Sequence, residues 1–245
     1  MGSWRDADDM SERIKRKWFR QFVTRSSQEE HQTHYEEIYD RFANYTLIPE
    51  DSFCDNLALI HERSRALRGA FVECGTWKGG MAAAMMQIGG PGRKYHFYDS
   101  FEGLPPAATI DGPDAVAWQS DSDDPFYLDN LHADYDEFLS LIRSSGDHAD
   151  HVSVEKGWFD DTVPNYCGDP IAVLRIDGDW YRSTKLCLDV MFQHVEVDGV
   201  VILDDYDFWD GCSRAVHDFL AETGSTARIR RTGDSSIAFL HKIDP

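Results

Sequence analysis

A chain of 245 residues with 42% hydrophobic side chains is long enough for one sizeable domain with decorations and too apolar to stay disordered. Its 44 acidic and 24 basic residues give a formal net charge of -20; so negative a surface repels phosphate backbones and argues against nucleic acid as a partner. The longest apolar stretches, such as Met81–Met86 and Val200–Leu203, fall far short of the roughly 20 residues that span a bilayer, so no membrane span is expected.

The chain opens on MGSWRDADDM, which lacks the apolar core of a secretory signal. Its five cysteines (Cys54, Cys74, Cys167, Cys187, Cys212) are odd in number and form no C-x-x-C pair. That pattern suits a reducing cytoplasm and argues against a disulfide scaffold or a cysteine zinc site. Residues 1–25 carry seven basic and four acidic side chains, against the sign of the rest. Within them SERIKRKWFRQFV reads as an amphipathic basic helix that packs Trp18, Phe19 and Phe22 onto the body or onto a second subunit, in preference to a membrane surface. Residues 29–65 read as mostly helical, interrupted by Pro49, with Asp51 or Ser52 as the expected N-cap. Residues 1–65 are therefore expected to form an N-terminal helical segment, ahead of a main domain over 66–245.

From about residue 69, short β-rich runs alternate with helical stretches. Strands are predicted at 70–74, 94–98, 151–155, 171–176, 199–203, 227–231 and 236–241, and helices near 80–88, 131–144, 182–194 and 211–223. IAVLRI and GVVIL are almost continuously apolar, as strands covered on both faces must be. The alternation predicts a doubly wound α/β sheet, mostly parallel, with a C-terminal antiparallel hairpin turning at Gly233–Ser235. Between Tyr95 and Ile142 there is no Lys or Arg but there are eleven acids. The segment Pro105–Pro125 is rich in Asp, Ala and Pro and shows no periodicity, so a lid-like insertion is expected at about 105–130.

Ligands of open α/β sheets bind beyond the carboxyl ends of the strands. The first strand ends in E-C-G-T-W-K-G-G, where Trp77 occupies a position that the dinucleotide fingerprint reserves for glycine; a G-x-x-x-x-G-K-[ST] loop is also absent, so a ligand without a pyrophosphate is favoured. The second strand ends in Tyr98-Asp99-Ser100, with Asp99 placed to accept hydrogen bonds from ribose hydroxyls. Trp158, after the third strand, is placed either to stack on an adenine or to fill the core. The fourth strand runs into Asp177-Gly178-Asp179 and the fifth into Asp204-Asp205. If those strands are neighbours about 4.8 Å apart, four carboxylates crowd one point, which is unfavourable unless a cation sits among them or some are protonated. Hard oxygen donors without His or Cys select Mg²⁺, Ca²⁺ or Mn²⁺ over zinc.

The succession E-C-G-T-W-K-G-G, Y-D-S-F-E-G-L-P, K-G-W-F-D-D-T-V-P, L-R-I-D-G-D-W-Y-R-S-T and V-I-L-D-D-Y resembles the macrocin O-methyltransferase family over roughly residues 40–242. That resemblance implies a class I methyltransferase (Rossmann-like) fold. It implies an enzyme that takes a methyl group from S-adenosyl-L-methionine, with Mg²⁺, to a hydroxyl of a deoxysugar in a glycosylated natural product, as in antibiotic biosynthesis. By resemblance Glu73, Gly75 and Thr76 line the methionine end of the cofactor. Asp99 and Ser100 hold its ribose and the adenine edge, and Gly157 and Trp158 neighbour the adenine. Asp177, Asp204 and Asp205 hold magnesium, Asp179 is the general base, and Tyr45 lies near the cofactor. A homo-oligomer is also implied. Three alternatives stand beside this reading. One is a metal-dependent methyltransferase of catechols or other phenols. Another is an aspartyl-phosphate phosphatase, disfavoured by Trp180 after the second Asp. The third is a non-catalytic binder, disfavoured by the cost of such charge crowding.

Overall fold

The structure is a computed structural model that describes residues 31–146, 151–232 and 237–244. The basic segment SERIKRKWFRQFV and the turn at Gly233–Ser235 lie outside the described residues. Helix α1 (31–42) buries Tyr35, Ile38 and Phe42, a spacing that keeps all three on one helical face. Helix α2 (Glu50–Ala66) starts two residues earlier than the first of the expected caps, Asp51, allows. Pro49 holds the N-cap position, its carbonyl accepting from Phe53 N at 2.8 Å, and Asp51 falls in the first helical turn with Glu50. Those two acids meet the positive end of the helix dipole, and Arg63 and Arg65 meet its negative end.

The main domain is a seven-stranded sheet of β1 (Ala70–Cys74), β2 (Tyr95–Asp99), β3 (Val152–Lys156), β4 (Ile171–Ile176), β5 (Val195–Leu203), β6 (Arg228–Arg231) and β7 (Ala238–His241). Its order is β3-β2-β1-β4-β5-β7-β6. The first five strands run parallel, and β7 is inserted antiparallel between β5 and β6. Each predicted strand is present within a few residues, except that β5 begins at Val195 rather than 199. Its exposed amino end carries Glu196 and Asp198, whose polarity hid it from the apolar pattern, and Asp198 kinks the strand at φ 68°.

Helices α3 (Gly80–Gly89) and α6 (Tyr135–Ser144) join α1 and α2 on one face, packing on Phe71, Tyr95, Phe97 and Val173. Helices α8 (Tyr181–Met191) and α9 (Asp210–Thr223) cover the other, over Val72, Leu174, Val201 and Leu240. Period-two alternation along β1 and β4 therefore puts Phe71, Glu73, Val173 and Arg175 on the first face.

The insertion is not structureless. It holds a 3₁₀ turn at Thr109–Asp111, helix α4 (Pro113–Ser120) and the turn α5 (Leu128–Leu131), whose four residues have φ between 42° and 59°. Gly112 at φ 95° and Pro113 at the first helical position start α4, a division of labour that suits both residues. A third apolar cluster joins Ala115, Trp180, Trp209 and Cys212, with Trp118 of α4 packed against it. The lid is thus docked on the sheet's carboxyl edge by aromatic packing. The short helix α7 (Phe159–Thr162) follows β3 and completes the rim.

Candidate active site at the carboxyl edge of the sheet

The adjacency that the carboxylate argument required is present. β4 and β5 pair in parallel with Ile176 level with Leu203, so Asp177 and Asp204 leave the sheet side by side. Asp177 N donates to Cys74 O at 2.8 Å and Asp204 N to Ile176 O at 3.0 Å, which extends the ladder one residue beyond each strand. One carboxylate oxygen each from Asp177, Asp179 and Asp205 lies within 4.8 Å of the others. Asp179 is held in the left-handed region, at φ 55°. Its N–H donates to Asp205 Oδ2 at 2.9 Å, and its Oδ1 accepts from the buried indole Nε1 of Trp209 at 2.9 Å. A non-glycine residue there is strained, and strain is tolerated where surrounding bonds over-determine it.

Asp204 faces a partner that sequence reasoning missed. Arg175 is 1% exposed and reaches three carboxylates: its Nη1 lies 2.8 Å from Glu73 Oε1 and 2.8 Å from Asp177 Oδ2, and its Nη2 pairs with Asp204 Oδ1. The pairing follows from register, because Glu73 and Arg175 are direct cross-strand neighbours on one face. The signal was present: Arg175 is the one charged residue in IAVLRI, and it stands one position before the strand end, as Glu73 does in AFVEC. Five carboxylates (Glu73, Asp177, Asp179, Asp204, Asp205) and one guanidinium still leave a large excess of negative charge. Burial, then repulsion from Asp204, pushes the Asp177 carboxyl up to about 6. Burial, then the charge of Asp177, pushes Asp179 up to about 8, with the Trp209 bond opposing. Asp205 is raised by burial and then by Asp179 and Asp177. Arg175 is held fully charged by the acids around it despite its burial.

These acids form one wall of a cavity of about 1140 Å³ that Glu73, Gly75, Thr76, Asp99, Ser100 and Trp158 also line. Gly75 is obligatory at φ 89°: a Cβ there would lie 1.7 Å from the Asp177 carbonyl oxygen. Glu73 lines the cavity, and its Oε2 is buried without a hydrogen-bond partner in the protein. Asp99 is bound more tightly to the backbone than the strand-end argument supposed. Its Oδ2 accepts from Thr76 N at 2.7 Å and Trp77 N at 2.8 Å, and its Oδ1 accepts from Phe101 N at 2.7 Å. It therefore shapes the β1–α3 turn, and with Thr76 Oγ1 also on Oδ2 at 3.4 Å, only Oδ1 keeps capacity for a further donor. Ser100 Oγ donates to Gly103 O at 2.9 Å and accepts from Glu102 N at 3.0 Å. Gly157 is outside the cavity wall but donates to Asp99 O at 2.9 Å, which sets Trp158 at the rim. Tyr45 lines the same cavity.

The lid closes the remaining side. Asp111 Oδ1 accepts from Tyr181 N at 2.7 Å, capping α8 from outside, and Trp180 Nε1 donates to Pro105 O at 2.8 Å. Neither link could be read from spacing, since each joins residues some seventy positions apart.

The sequence matches the model of the macrocin-O-methyltransferase (TylF) family over residues 9–241. The chain belongs to the macrocin O-methyltransferase family. It is 31% identical over 193 residues to the 8-demethyl-8-(2,3-dimethoxy-alpha-L-rhamnosyl)-tetracenomycin-C 4'-O-methyltransferase of Streptomyces olivaceus, an alignment that covers 76% of this chain and 72% of that protein. It is 34% identical over 160 residues to the demethyldecarbamoylnovobiocin O-methyltransferase of Streptomyces niveus, covering 63% of this chain and 59% of the relative. The solved structure of the O-methyltransferase NovP superposes with a TM-score of 0.65 at 27% identity, covering 82% of this chain and 83% of that one. The family membership makes this an O-methyltransferase, and the sheet of five parallel strands closed by an antiparallel hairpin is the class I methyltransferase fold. The match begins at residue 9, so it includes the basic segment that the motif resemblance, starting near residue 40, had left out.

Proposed function

We propose that this macrocin-family enzyme transfers a methyl group from S-adenosyl-L-methionine, with Mg²⁺, to a hydroxyl of a deoxysugar in a glycosylated natural product. The observation that carries this reading is the convergence of the Asp177, Asp179 and Asp205 oxygens on the wall of a cavity that Glu73, Thr76, Asp99 and Trp158 share. The donor set is all oxygen, as a hard divalent cation requires, and its carboxyl pKa values are raised first by burial and then by mutual repulsion, both of which such a cation offsets. Asp177 and Asp205 of that set would hold the ion together with Asp204, which lies outside the three-oxygen cluster with its Oδ1 on Arg175, while Asp179 is kept for the proton. For Asp204 this means that the carboxylate serves the ion and Arg175 together. Glu73 would accept from the amine of the methionine moiety; Asp99 and Ser100 would meet the ribose, and Trp158, with the Gly157 turn behind it, would border the adenine.

S-adenosylmethionine supplies an electrophilic methyl group whose leaving sulfur departs neutral, and Mg²⁺ supplies charge that stabilises a developing alkoxide. What the residues must add is deprotonation and alignment. Asp179 would accept the hydroxyl proton, a role typically worth about 10²–10⁴ in rate. Trp209 and the Asp205 carboxylate fix the position of Asp179, so that it does not reorient during the step. Trp180 and Trp118 exclude water from that side.

The cavity mouth supports an acceptor that carries an apolar aglycone. Tyr45, Leu47, Phe126 and Phe208 are 37%, 49%, 69% and 75% exposed and line the same cavity. The charged side chains at that rim include Asp114, Asp124, Asp160 and Asp207, and Arg182 is paired with Asp160 at 2.7 Å. Such a rim repels a nucleotide diphosphate and receives a hydrophobic ring system. A glycosylated aromatic or macrocyclic acceptor and a simple catechol, assayed side by side with S-adenosylmethionine and Mg²⁺, test the reading. Methylation of the sugar-bearing acceptor is expected. Turnover of catechol alone would replace the reading with the phenolic alternative.

A further inference from the structure

A second cluster of ligand-type side chains lies at the opposite, amino edge of the sheet. His96 is the second residue of β2, buried at 8% exposure, and Cys167 and Asp169 come from the loop that enters β4. Asp169 Oδ2 lies 3.1 Å from His96 Nε2 and 3.2 Å from Cys167 Sγ, and Cys167 Sγ lies 3.9 Å from His96 Nε2. The loop is pinned in that arrangement. Tyr166 Oη donates to the Asp169 carbonyl at 2.7 Å, its ring meets His96 edge-on at 5.5 Å, and Lys94 Nζ spans the Asp169 carboxylate, 2.8 Å from Oδ1 and 3.0 Å from Oδ2.

The arrangement is unsuited to nucleophilic catalysis. A Cys-His-Asp relay needs the thiol and the carboxylate on opposite imidazole nitrogens, and here both face Nε2. It suits metal ligation better. With zinc bonds of about 2.3 Å to sulfur and about 2.0–2.1 Å to nitrogen and oxygen, a tetrahedral site has ligand–ligand edges of about 3.3–3.6 Å. The three observed edges fall within a few tenths of an ångström of that range. We propose that His96, Cys167 and Asp169 bind a zinc-class divalent cation, with the fourth position open on the exposed side where Cys167 lies. Binding would release the thiol proton to solvent, and the thiolate and carboxylate together balance the ion's charge. Lys94 would give up Oδ2 to the ion and keep its contact to Oδ1, as an outer partner of the ligating carboxylate. The site would tie the 166–169 loop to β2, at the end of the sheet away from the cavity. A sequence scan for paired cysteine or histidine spacings passes over it, because one ligand comes from a strand more than seventy residues before the other two.

Cobalt(II) titration of the full chain, stripped by chelator and held in excess Mg²⁺, tests this. A thiolate ligand gives an intense near-ultraviolet sulfur-to-cobalt band that the all-oxygen site cannot give. The band is expected to saturate at one equivalent, to bleach on addition of one equivalent of Zn²⁺, and to be absent from Cys167→Ser. That variant should keep methyl transfer, since Cys167 is exposed and remote from the cavity. Zn²⁺ should raise the Tm of the wild-type chain but not that of Cys167→Ser. Asp169→Ala should weaken cobalt binding by at least the roughly 10–100-fold that losing even an outer partner costs. A folded wild-type chain without the band at one equivalent, or an undiminished band in Cys167→Ser, would overturn the proposal.

Discussion

Arg175 and Asp179 carry opposite burdens at the same strand end. Arg175 neutralises acids for which no other cationic partner is found among the described residues, and removing one partner of a buried ion pair strands the rest. Arg175→Met should therefore cost about 3–5 kcal/mol of stability, measured by denaturant unfolding. Glu73→Gln in that background should restore part of the loss, because it removes one of the stranded charges. Two independent, additive losses would argue against the coupling. Asp179→Asn should bind cofactor and metal but lose turnover by about 10²–10⁴, the range of general-base assistance; near-normal turnover would remove Asp179 from that role. The Trp209 indole lowers the Asp179 carboxyl by donating to its charged form. Trp209→Phe removes that donor and should move the acid limb of the pH–rate profile to higher pH, with kcat reduced more than KM is changed.

At the scale of elements, the lid and the strands were unequally legible. The strands announce themselves through period and apolar continuity, and even the crowding of Asp177 and Asp204 followed from assuming that β4 and β5 are neighbours. The lid's order depends on contacts that no local pattern contains. Asn130 Nδ2 donates to Leu104 O at 2.7 Å, and Gln119 Nε2 donates to Pro105 O at 2.9 Å and to Asn130 Oδ1 at 3.0 Å. The Gln119 side-chain oxygen accepts from Ala107 N at 2.5 Å. One amide thus clasps two ends of an insertion whose composition alone suggested an unstructured loop. Gln119→Ala removes about three such bonds, each worth about 1 kcal/mol net. Cleavage by a non-specific protease should become faster within 105–130, and the acceptor KM should rise, with far-UV circular dichroism unchanged. Unaltered cleavage would mean that the tryptophan cluster holds the lid without the clasp. Arg175 was missed for a related reason: a charged residue in a buried strand needs its cross-strand partner to be understood, and register is a property of the sheet.

On the scale of the whole molecule, the fold collects negative charge at one edge of the sheet and leaves at least three carboxyls protonatable near neutrality. For Glu73, Asp177 and Asp179 the folded pKa values, about 8, about 6 and about 8, exceed the ordinary carboxylate values of about 4.3 for Glu and about 3.9 for Asp. The folded protein then binds more protons than the unfolded chain between about pH 4 and pH 8, so metal-free stability should fall as pH rises through that window. Added Mg²⁺ should flatten the dependence, because an ion bound only to the folded state replaces those protons. Equilibrium unfolding at several pH values, with EDTA and with Mg²⁺, reads both effects. No helix among the described residues is long and apolar enough to cross a membrane, which agrees with the hydropathy of the sequence. The doubly wound sheet, its order of motifs and its acidic strand ends could be read from the chain alone. The buried guanidinium, the indole on Asp179 and the docked lid could not, because each is a meeting of distant segments. The central claim is that aspartates from two neighbouring strands hold a divalent cation beside the methyl donor. Calorimetric titration of Mg²⁺ into the chelator-stripped protein, saturated with S-adenosylhomocysteine, tests it most directly. One Mg²⁺ per chain is predicted, lost in Asp205→Asn with the fold intact; a wild-type chain that binds S-adenosylhomocysteine but takes up no Mg²⁺ would contradict it.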